Sequence, residues 1–389
     1  MKSLLLLGRQ KDIALAELES LYGSENFTRV SEDIVGCMLP AEEIDFHRLG
    51  GCVKLAKLVK EYPLSDWSRL EKSISEDILD ILNIPIEGKL QFGVSCYGLK
   101  LKVEQIRNLG LTLKKNVKQA GQSIRMIPNQ NLQLNSAQIL HNKLLGPRGF
   151  ELLIIASNSS YIVGKTIEEQ DIDAYSGRDY NRPFRDSRVG MLPPKLAQIL
   201  INLASPKESD IVLDPFCGTG VVLQETLLDK FIAYGTDIEP RMIDYSEGNI
   251  KWIKNIYGID SETNLEVADA TNHEWQHFDC VAAETYLGQA YSSYPDSAKL
   301  KTNVQNCDTI ISKFLQNIHD QLPIGGKMAL ALPAWENRIQ KNFISLPLLD
   351  HLENLGYNRL SFSITRNNDL FYHRPGQIVA RQLIVITRN

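Results

Sequence analysis

The feature that most constrains the fold of this chain is residues 211–220, Ile-Val-Leu-Asp-Pro-Phe-Cys-Gly-Thr-Gly. An apolar, strand-like run passes here directly into a glycine turn, and the apolar run 221–228 follows at once, which predicts a strand–loop–helix unit. Gly218 and Gly220 omit the side chains that would keep a ligand away from the backbone, and the helix start offers unpaired N–H groups beside them. The stretch therefore predicts the nucleotide-binding turn of an α/β, Rossmann-like sheet.

Two acidic residues follow at the ends of the next two apolar runs. Asp237 ends the run 231–236, about 20 residues after the glycines, where a carboxylate can hold ribose hydroxyls. Asp269 ends the run 265–268. Together with the glycine turn, these acids predict a pocket for a cofactor that contains adenosine.

The residues after the turn exclude two common nucleotide sites. Val221-Val222 stands where a phosphate-binding P-loop requires Lys and Ser or Thr, so hydrolysis of ATP or GTP is not expected. Leu223 stands where a dinucleotide fingerprint requires its third glycine. An NAD-dependent oxidoreductase remains an alternative that explains the glycine turn but not the other features of the chain.

The phrase Asp-Pro-Phe-Cys-Gly-Thr-Gly resembles the cofactor loop of amino-methyltransferases that act on RNA and use S-adenosylmethionine. In that family, Asp214 and the glycines would contact the methionine end of the cofactor. A second phrase, residues 189–197, resembles the segment that closes over the methionine part in the same enzymes. The resemblance implies these cofactor-binding residues: Leu192, Pro194, Asp214, Phe216, Cys217, Gly218, Thr219, Gly220, Asp237, Ile238, Asp269 and Ala270.

Positive charge is concentrated in one part of an acidic chain. The formal net charge is −5, whereas residues 89–150 contain ten lysines and arginines against the single acid Glu104. A basic module that contacts phosphates explains this asymmetry better than a solvated basic face, because balancing acids are nearly absent. Together with two linker arginines, its residues are the predicted RNA contacts: Lys100, Lys102, Arg107, Lys114, Lys115, Lys118, Arg125, Arg182 and Arg185.

Periodicity divides the chain into four parts. Helix-like and strand-like segments alternate over residues 61–165, and their order and position, with the phrase Leu-Asn-Ser-Ala-Gln at 134–138, resemble a THUMP domain, which binds the end of tRNA. After 196, strands expected near 210–214, 231–237, 264–268, 278–284, 327–332, 360–365 and 378–387 form a seven-stranded methyltransferase sheet, with the last two antiparallel. The expected parts are an N-terminal ferredoxin-like module (1–60), a THUMP domain (61–165), a basic linker (166–190) and a methyltransferase domain (191–389).

Over its whole length, the chain resembles the THUMP-containing tRNA guanosine N2-methyltransferases that modify position ten. The resemblance implies S-adenosylmethionine as cofactor, tRNA as partner and the exocyclic N2 amine of a guanosine as methyl acceptor. Two further alternatives remain: a methyltransferase for a different RNA nucleotide, and an RNA-binding protein with a degenerate methyltransferase fold. Some members of the family need a small activating zinc protein and others act alone, and the sequence fits both.

The acceptor motif departs from that family, whose fourth strand ends in Asp or Asn, Pro, Pro and an aromatic residue. Aligned on the aromatic residue, Tyr286 keeps its place, Glu284 and Thr285 replace the two prolines, and Ala283 replaces the acid. Aligned on the acid, Glu284 takes its place, and the prolines are again absent. A carboxylate at Glu284 can orient an exocyclic amine and accept its proton, and Tyr286 can stack on a flipped base. We expect Glu284, Thr285 and Tyr286 at the catalytic site, with strand-end residues of a binding-only protein as the alternative.

Other patterns exclude further classes. Residues 273–277 spell His-Glu-Trp-Gln-His, but only eight residues separate Ala270 from Asp279, too few for the helix that a zinc-binding HExxH motif needs. We therefore expect no metal site. Six cysteines without a CxxC pair indicate the reduced thiols of a cytoplasmic protein. No apolar run is long enough to span a bilayer, so no membrane segment is expected.

Overall fold

A computed structural model describes residues 1–83, 87–186, 192–289, 291, 293–337, 340, 342–366 and 369–389. These residues form two compact units. The first unit comprises Met1–Arg9, Glu25–His47 and Cys52–Ile172, and the second comprises Gln10–Ser24, Arg48–Gly51 and Asp173–Asn389. Within the described ranges, no helix combines the length and the apolar character needed to cross a membrane.

A single mixed sheet dominates the first unit. Its strands are β1 (Ser3–Leu7), β2 (Phe27–Arg29), β3 (Ile34–Cys37), β4 (Cys52–Pro63), β5 (Leu90–Tyr97), β6 (Ile124–Met126), β7 (Gly149–Ala156) and β8 (Ser160–Glu169). Their spatial order is β2-β3-β1-β4-β8-β7-β5-β6. The helices of this unit are α2 (Trp67–Leu82), α3 (Val103–Gln119) and α4 (Ser136–His141).

The alternation of side chains along β7 explains how both faces of this sheet are covered. Leu152 and Ile154 pack into the cluster formed with α2 and α3, whereas Leu153 and Ile155 pack into the cluster formed with β1. Successive side chains of a strand point to opposite faces, so a nearly continuous apolar run serves two cores.

The second unit contains a larger sheet, with nine strands among the described residues. They are β9 (Ile211–Asp214), β10 (Ile232–Asp237), β11 (Thr263–Val267), β12 (Cys280–Glu284), β13 (Lys327–Asn337), β14 (Asn342–Ile344), β15 (Tyr357–Arg359), β16 (Leu370–Tyr372) and β17 (Val379–Arg388). The order is β11-β10-β9-β12-β13-β17-β15, with β14 beside β13 and β16 beside β17. Strands β9 to β13 pair in parallel, and β17 runs antiparallel to both β13 and β15.

Helices cover both faces of the second sheet. They are α1 (Lys11–Tyr22), α5 (Ile172–Tyr180), α6 (Pro194–Ala204), α7 (Val221–Leu228), α8 (Pro240–Tyr257) and α9 (Ser297–Ile318). One apolar cluster gathers around α9, and a second gathers around α6 and includes Ile13 and Ala16 of α1. Glu17 of α1 is fully buried and accepts hydrogen bonds from Gly50 N, Gly51 N and Asn202 Nδ2 of α6 at 2.8–2.9 Å.

The structure agrees with most expected elements and differs at two places. Nine strands lie among the described residues where seven were expected, and the last strand, β17, runs antiparallel to β13, β15 and β16. The prediction of a strand near 360–365 is wrong. The backbone N–H groups of Ser363 and Ile364 donate to the Glu19 carboxylate, and that of Arg366 donates to Asp12, so they do not pair with a neighbouring strand. The regular strand ends instead at Arg359.

The expected domain boundaries can be placed on these elements. The boundary at 60/61 lies inside β4, and the boundary at 165/166 lies inside β8, so both fall within one sheet. The start of the predicted closing segment, residues 189–191, lies outside the described residues. The assignment of separate roles to the four parts of the chain stays a prediction.

Candidate active site

The predicted cofactor loop joins β9 to α7 and requires both of its glycines. Gly218 has φ +52° and Gly220 has φ +77°, values that side-chain-bearing residues adopt at a cost. A Cβ atom on Gly220 would lie 2.8 Å from Ser246 Oγ of α8, whereas one on Gly218 would meet nothing closer than 3.9 Å. Gly220 thus permits packing against α8, and Gly218 leaves the approach to the backbone open.

Asp237 fastens the loop to the end of β10. Its Oδ2 accepts a hydrogen bond from Gly218 N at 2.9 Å, and its Oδ1 accepts one from Glu239 N at 2.9 Å. Burial raises the pKa of Asp237, although these backbone N–H groups favour the charged form and lower it. The side chain remains partly exposed, so its oxygens can accept further donors such as hydroxyl groups.

Asp214, at the end of β9, is a buried acid that lacks a cationic partner among the described residues. It is 2% exposed, and Phe216 N donates to its Oδ1 at 3.1 Å. Burial raises the pKa of the Asp214 carboxyl well above its ordinary value, and the negative charges of Asp237 and Glu284 raise it further. A carboxylate in this position is suited to receive a positively charged ligand.

The other predicted cofactor residues border the same edge of the sheet. Thr271 donates to Asp269 Oδ1 through its backbone N–H and its hydroxyl, and Ala270 is buried beside it. Ile238 is 62% exposed, which leaves an apolar side chain uncovered next to Asp237. The remaining ones are buried or half-buried around the loop and the start of α6: Leu192, Pro194, Phe216, Cys217 and Thr219.

Helix α8 holds the cofactor loop and the linker together, which the sequence did not predict. Asn249 donates to the carbonyl oxygens of Thr219 and Phe184, both at 2.9 Å, and accepts from Phe184 N at 3.0 Å. The Phe184 ring stacks on Tyr245 with centroids 5.0 Å apart. Gly248 makes room for that ring, since a Cβ there would lie 2.2 Å from it. The sequence signal available for this contact was the presence of a glycine and an amide residue, Gly248 and Asn249, inside the helix.

Glu284 ends β12 on the side of the sheet that α6 covers. Along β12, Val281 and Ala283 belong to the cluster around α9, whereas Cys280 and Ala282 belong to the cluster around α6. Because side chains alternate along a strand, the side chain of Glu284 points to the same side as Cys280 and Ala282, the side that α6 covers. Asp214 follows Val212 on the same side, and the two carboxyl groups are close enough for the charge of Glu284 to raise the pKa of Asp214.

Arg381 of β17 reaches the carboxylate of Glu284. Arg381 Nε donates to Glu284 Oε1 at 2.5 Å, and the side chains are 6% and 13% exposed. Burial raises the pKa of Glu284, and the charge and hydrogen bond of Arg381 oppose this shift. Arg381 was not predicted from the sequence, because no local pattern connects two residues that lie 97 positions apart.

The other two predicted catalytic residues have different surroundings. Tyr286 is 43% exposed and presents its ring at the end of the sheet. Thr285 is buried, and both its backbone N–H and its hydroxyl donate to the Ala331 carbonyl oxygen, at 3.1 and 3.3 Å. The geometry gives Thr285 a role in anchoring the strand end, and its part in catalysis stays a prediction.

The predicted RNA contacts of the first unit lie mainly on its surface. Six of the seven side chains are exposed and Lys114 is half-buried. Arg107 is partly engaged, because its Nε and Nη2 donate to the Asn129 carbonyl oxygen at 3.0 and 2.7 Å. The exposed ones are Lys100, Lys102, Arg107, Lys115, Lys118 and Arg125.

A buried polar network fixes the phrase at 134–138 in the same unit. Lys54 Nζ donates to both carboxylate oxygens of Glu151, at 2.9 and 3.0 Å. Glu151 also accepts from Ser95 Oγ, and that hydroxyl oxygen accepts from Leu134 N at 2.9 Å. Ser136 donates to Glu169, which lies 3.6 Å from Lys54. The loop is thus held by charges that are themselves paired inside the unit.

The two linker arginines differ in exposure. Arg185 is exposed and lies over the Tyr180 ring, 5.2 Å from its centroid. Arg182 is only 3% exposed, so the predicted contact with RNA does not lie at the surface in this conformation. Burial lowers the pKa of Arg182, and the charge of Arg185 adds to that shift.

Residues 273–277 do not form a helix, and their two histidines face different acids. His273 lies 3.2 Å from Glu266 and His277 lies 3.2 Å from Asp279. The six cysteines are free thiols, and all are buried.

The comparisons with known proteins point to methyltransferases. A family model described as DNA methylase, N6_N4_Mtase, matches residues 165–248, which contain the linker and the cofactor loop. The tRNA (guanine(10)-N2)-dimethyltransferase of Methanothermobacter thermautotrophicus is 30% identical over 169 residues, 43% of this chain and 46% of that protein. The enzyme of the same name from Pyrococcus abyssi is 25% identical over 330 residues, 85% of this chain and 87% of that protein. The chain thus spans about half the length of the first of these relatives.

A solved structure extends the similarity to the fold of the entire chain. TrmN from Thermus thermophilus aligns with a TM-score of 0.53 and 16% identity, covering 100% of each chain. The chain therefore has a mixed α/β, methyltransferase-like fold.

Proposed function

We propose that this protein is an S-adenosylmethionine-dependent tRNA methyltransferase that modifies the exocyclic N2 amine of a guanosine, at position ten of the tRNA by similarity to its relatives. The observation that carries the proposal is the convergence of three acids on one edge of the parallel sheet. Asp214 and Asp237 flank the glycine loop, and Glu284 ends the neighbouring strand β12. Ligands of doubly wound sheets bind at this edge.

The loop and its acids fit S-adenosylmethionine. The cofactor carries a sulfonium and an ammonium group, which match the buried Asp214 carboxyl that has no cationic partner among the described residues. A Cβ atom on Gly218 would meet nothing closer than 3.9 Å, so a ligand could approach the backbone there, and Asp237 would accept the ribose hydroxyls. Once bound, the cofactor supplies an electrophilic methyl group, which an amine nitrogen takes as the C–S bond breaks and sulfur keeps the electron pair.

Glu284 and Tyr286 would handle the acceptor base. The N2 amine of guanine is a poor nucleophile because its lone pair is delocalised into the ring, so its orientation decides the rate. Glu284 accepts an N2–H hydrogen bond, aligns the amine and receives the proton that leaves it. The half-exposed ring of Tyr286 stacks on the base.

The exposed lysines and arginines of the first unit would bind the tRNA backbone. Contacts of this kind release condensed counterions and make the affinity depend steeply on salt. The DNA methylase model does not favour a different acceptor, because its match ends at residue 248, before β12 and Glu284. A binding-only protein remains the rival that an activity measurement must exclude.

A direct test uses labelled S-adenosylmethionine and unmodified tRNA transcripts, followed by identification of the methylated nucleoside. We expect N2-methylated guanosine at position ten and none in a matched transcript with inosine there, which lacks the N2 amine. Tyr286→Phe should keep most of the single-turnover rate, whereas Tyr286→Ala should lose it with the stacking surface. A different methylated nucleoside would refute the acceptor, and no methylation of any tRNA would favour the binding-only protein.

A further inference from the structure

The pairing of Glu284 with Arg381 raises a question about the acceptor site. An amine-binding carboxylate has to be ionised, yet Glu284 is buried at the end of a strand, where burial favours its neutral form. Arg381 is itself 5% exposed and is held in β17 by its register with Pro333 on one side and Tyr372 on the other. The guanidinium is therefore a fixed charge aimed at a single oxygen of the carboxylate.

The second oxygen of Glu284 has no donor among the described residues. Arg381 occupies Oε1, and the 13% of the side chain that stays exposed leaves Oε2 available to a ligand. An ionised carboxylate is an acceptor only. It suits a base edge that presents donors and opposes one that presents an acceptor.

Guanine presents such an edge, because its ring N1–H and exocyclic N2–H groups are adjacent donors. Adenine and 2,6-diaminopurine present an unprotonated N1 at the same place, which a carboxylate repels. A flipped base is read on this edge. The charge state of Glu284 would therefore decide which purine is accepted.

We propose that Arg381 is a positioning residue that keeps Glu284 ionised and oriented, so that the carboxylate selects guanine by its N1–H and N2–H donors. This inference rests on the proposed function and adds to it a basis for base selection. Arg381 does not touch the substrate in this scheme. It acts through Glu284, on the same side of the sheet as Asp214.

Two charged groups lie near Glu284: Asp214 on the adjacent strand β9, and Arg381 on β17, which is separated from β12 by β13. Arg381 lowers the pKa of Glu284 and so favours its carboxylate, whereas the charge of Glu284 raises the pKa of the buried Asp214. Saturating the protein with S-adenosylmethionine places a cation beside Asp214, which leaves Arg381 as the group to vary. The half-exposed Tyr286 follows Glu284 by two residues, and burial raises the pKa of its hydroxyl.

The first experiment measures single-turnover methylation against pH at saturating cofactor. In Arg381→Gln, the positive charge is lost, so the acid limb of the rate–pH profile should move up by about 1 to 3 pH units. The rate should recover at high pH. Arg381→Lys should give a smaller shift in the same direction. Arg359→Gln is the matched control, because Arg359 lies on adjacent β15 and pairs instead with Asp369 at 3.3 Å, and its profile should not move.

The second experiment compares two transcripts that differ in one base at position ten. Guanine and 2,6-diaminopurine carry the same N2 amine but differ at N1, which bears a hydrogen only in guanine, and at C6, which bears an oxygen in guanine and an amine in 2,6-diaminopurine. The wild-type protein should prefer guanosine by about 100-fold or more. Below the shifted limb, Arg381→Gln should lose most of that preference, because protonated Glu284 can donate to the N1 of 2,6-diaminopurine.

A readout without catalysis completes the test. In carbon NMR spectra, the signal of the Glu284 carboxyl carbon can be identified because it is missing from the Glu284→Gln variant. This signal should titrate at a higher pH in Arg381→Lys than in the wild type. An unchanged titration, an unmoved acid limb or unaltered base preference in a folded, cofactor-binding variant would overturn the role of Arg381. A wild-type protein that methylates no tRNA would overturn the proposed function instead, so the two failures are distinct.

Discussion

Replacing Asp214 by Asn should reveal whether this buried acid receives the positive charge of the cofactor. In the free protein, burial and the charges of Asp237 and Glu284 raise the pKa of Asp214 well above its ordinary value. A cation bound beside the carboxylate lowers that pKa again. Binding of S-adenosylmethionine should therefore release a proton wherever the free carboxyl is protonated, and asparagine cannot release one.

The direction and size of the effect follow from this linkage. Below the raised pKa, the affinity of the wild type should rise by about tenfold, or 1.4 kcal/mol, per pH unit, and above it the affinity should level off. The stability of the free protein has the opposite sign, because a raised pKa in the folded state stabilises at low pH and loses that contribution as pH rises through it. Where the carboxylate is charged, Asp214→Asn should weaken binding by about 1.5–3 kcal/mol, or 10- to 150-fold.

Calorimetry in two buffers of different ionisation enthalpy measures both quantities, since the difference in heat gives the number of protons released. The asparagine variant should show weaker binding, and this part of the proton release should be absent. Tight, pH-independent binding by Asp214→Asn would refute the assignment. Equal proton release in both proteins would show that another group is linked to binding.

Three further predictions use matched variants. In calorimetry, Gly220→Ala should weaken cofactor binding more than Gly258→Ala. Both glycines have positive φ, but only at Gly220 would the added Cβ atom meet a neighbour, Ser246. Lys54→Met should lower the free energy of unfolding by about 3–5 kcal/mol, whereas Lys57→Met, 59% exposed on the same strand, should change it by about 0.5 or less in urea titrations. Reversing the charge of Lys114, Lys115 and Lys118 on α3 should weaken salt-dependent tRNA binding in filter assays but leave cofactor affinity unchanged.

Local patterns in the sequence predicted the elements that build the proposed cofactor half of the site. The run into Gly218 and Gly220 is an apolar strand followed by a turn, and Asp237 ends the next apolar run, so the spacing along the chain carries the information. The strand expected near 360–365 failed for a non-local reason. The backbone N–H groups of Ser363 and Ile364 donate to Glu19 of α1, about 350 residues earlier in the chain, and that of the following Arg366 donates to Asp12.

The acceptor half depends on such distant contacts, which explains why the sequence described it less completely. Arg381 reaches Glu284 only because β17 inserts between β13 and β15 and brings position 381 to the same edge. Asn249 of α8 donates hydrogen bonds to the carbonyl oxygens of both Phe184 and Thr219, and no sequence motif identifies it. Side chains that act through tertiary pairing carry no local period.

These contacts also bear on the missing prolines of the acceptor motif. In the family that the chain resembles, two prolines after the strand limit backbone motion and fix the carbonyl groups that face the amine. Here the hydrogen bonds of Thr285 to Ala331 restrain the backbone at the same point, and the ion pair with Arg381 restrains the side chain of Glu284. If these bonds replace the prolines, Thr285→Val should loosen the strand end while preserving its shape, and the single-turnover rate should fall without a change in the pH of the acid limb. Arg381 variants should move that limb, which separates backbone restraint from control of charge.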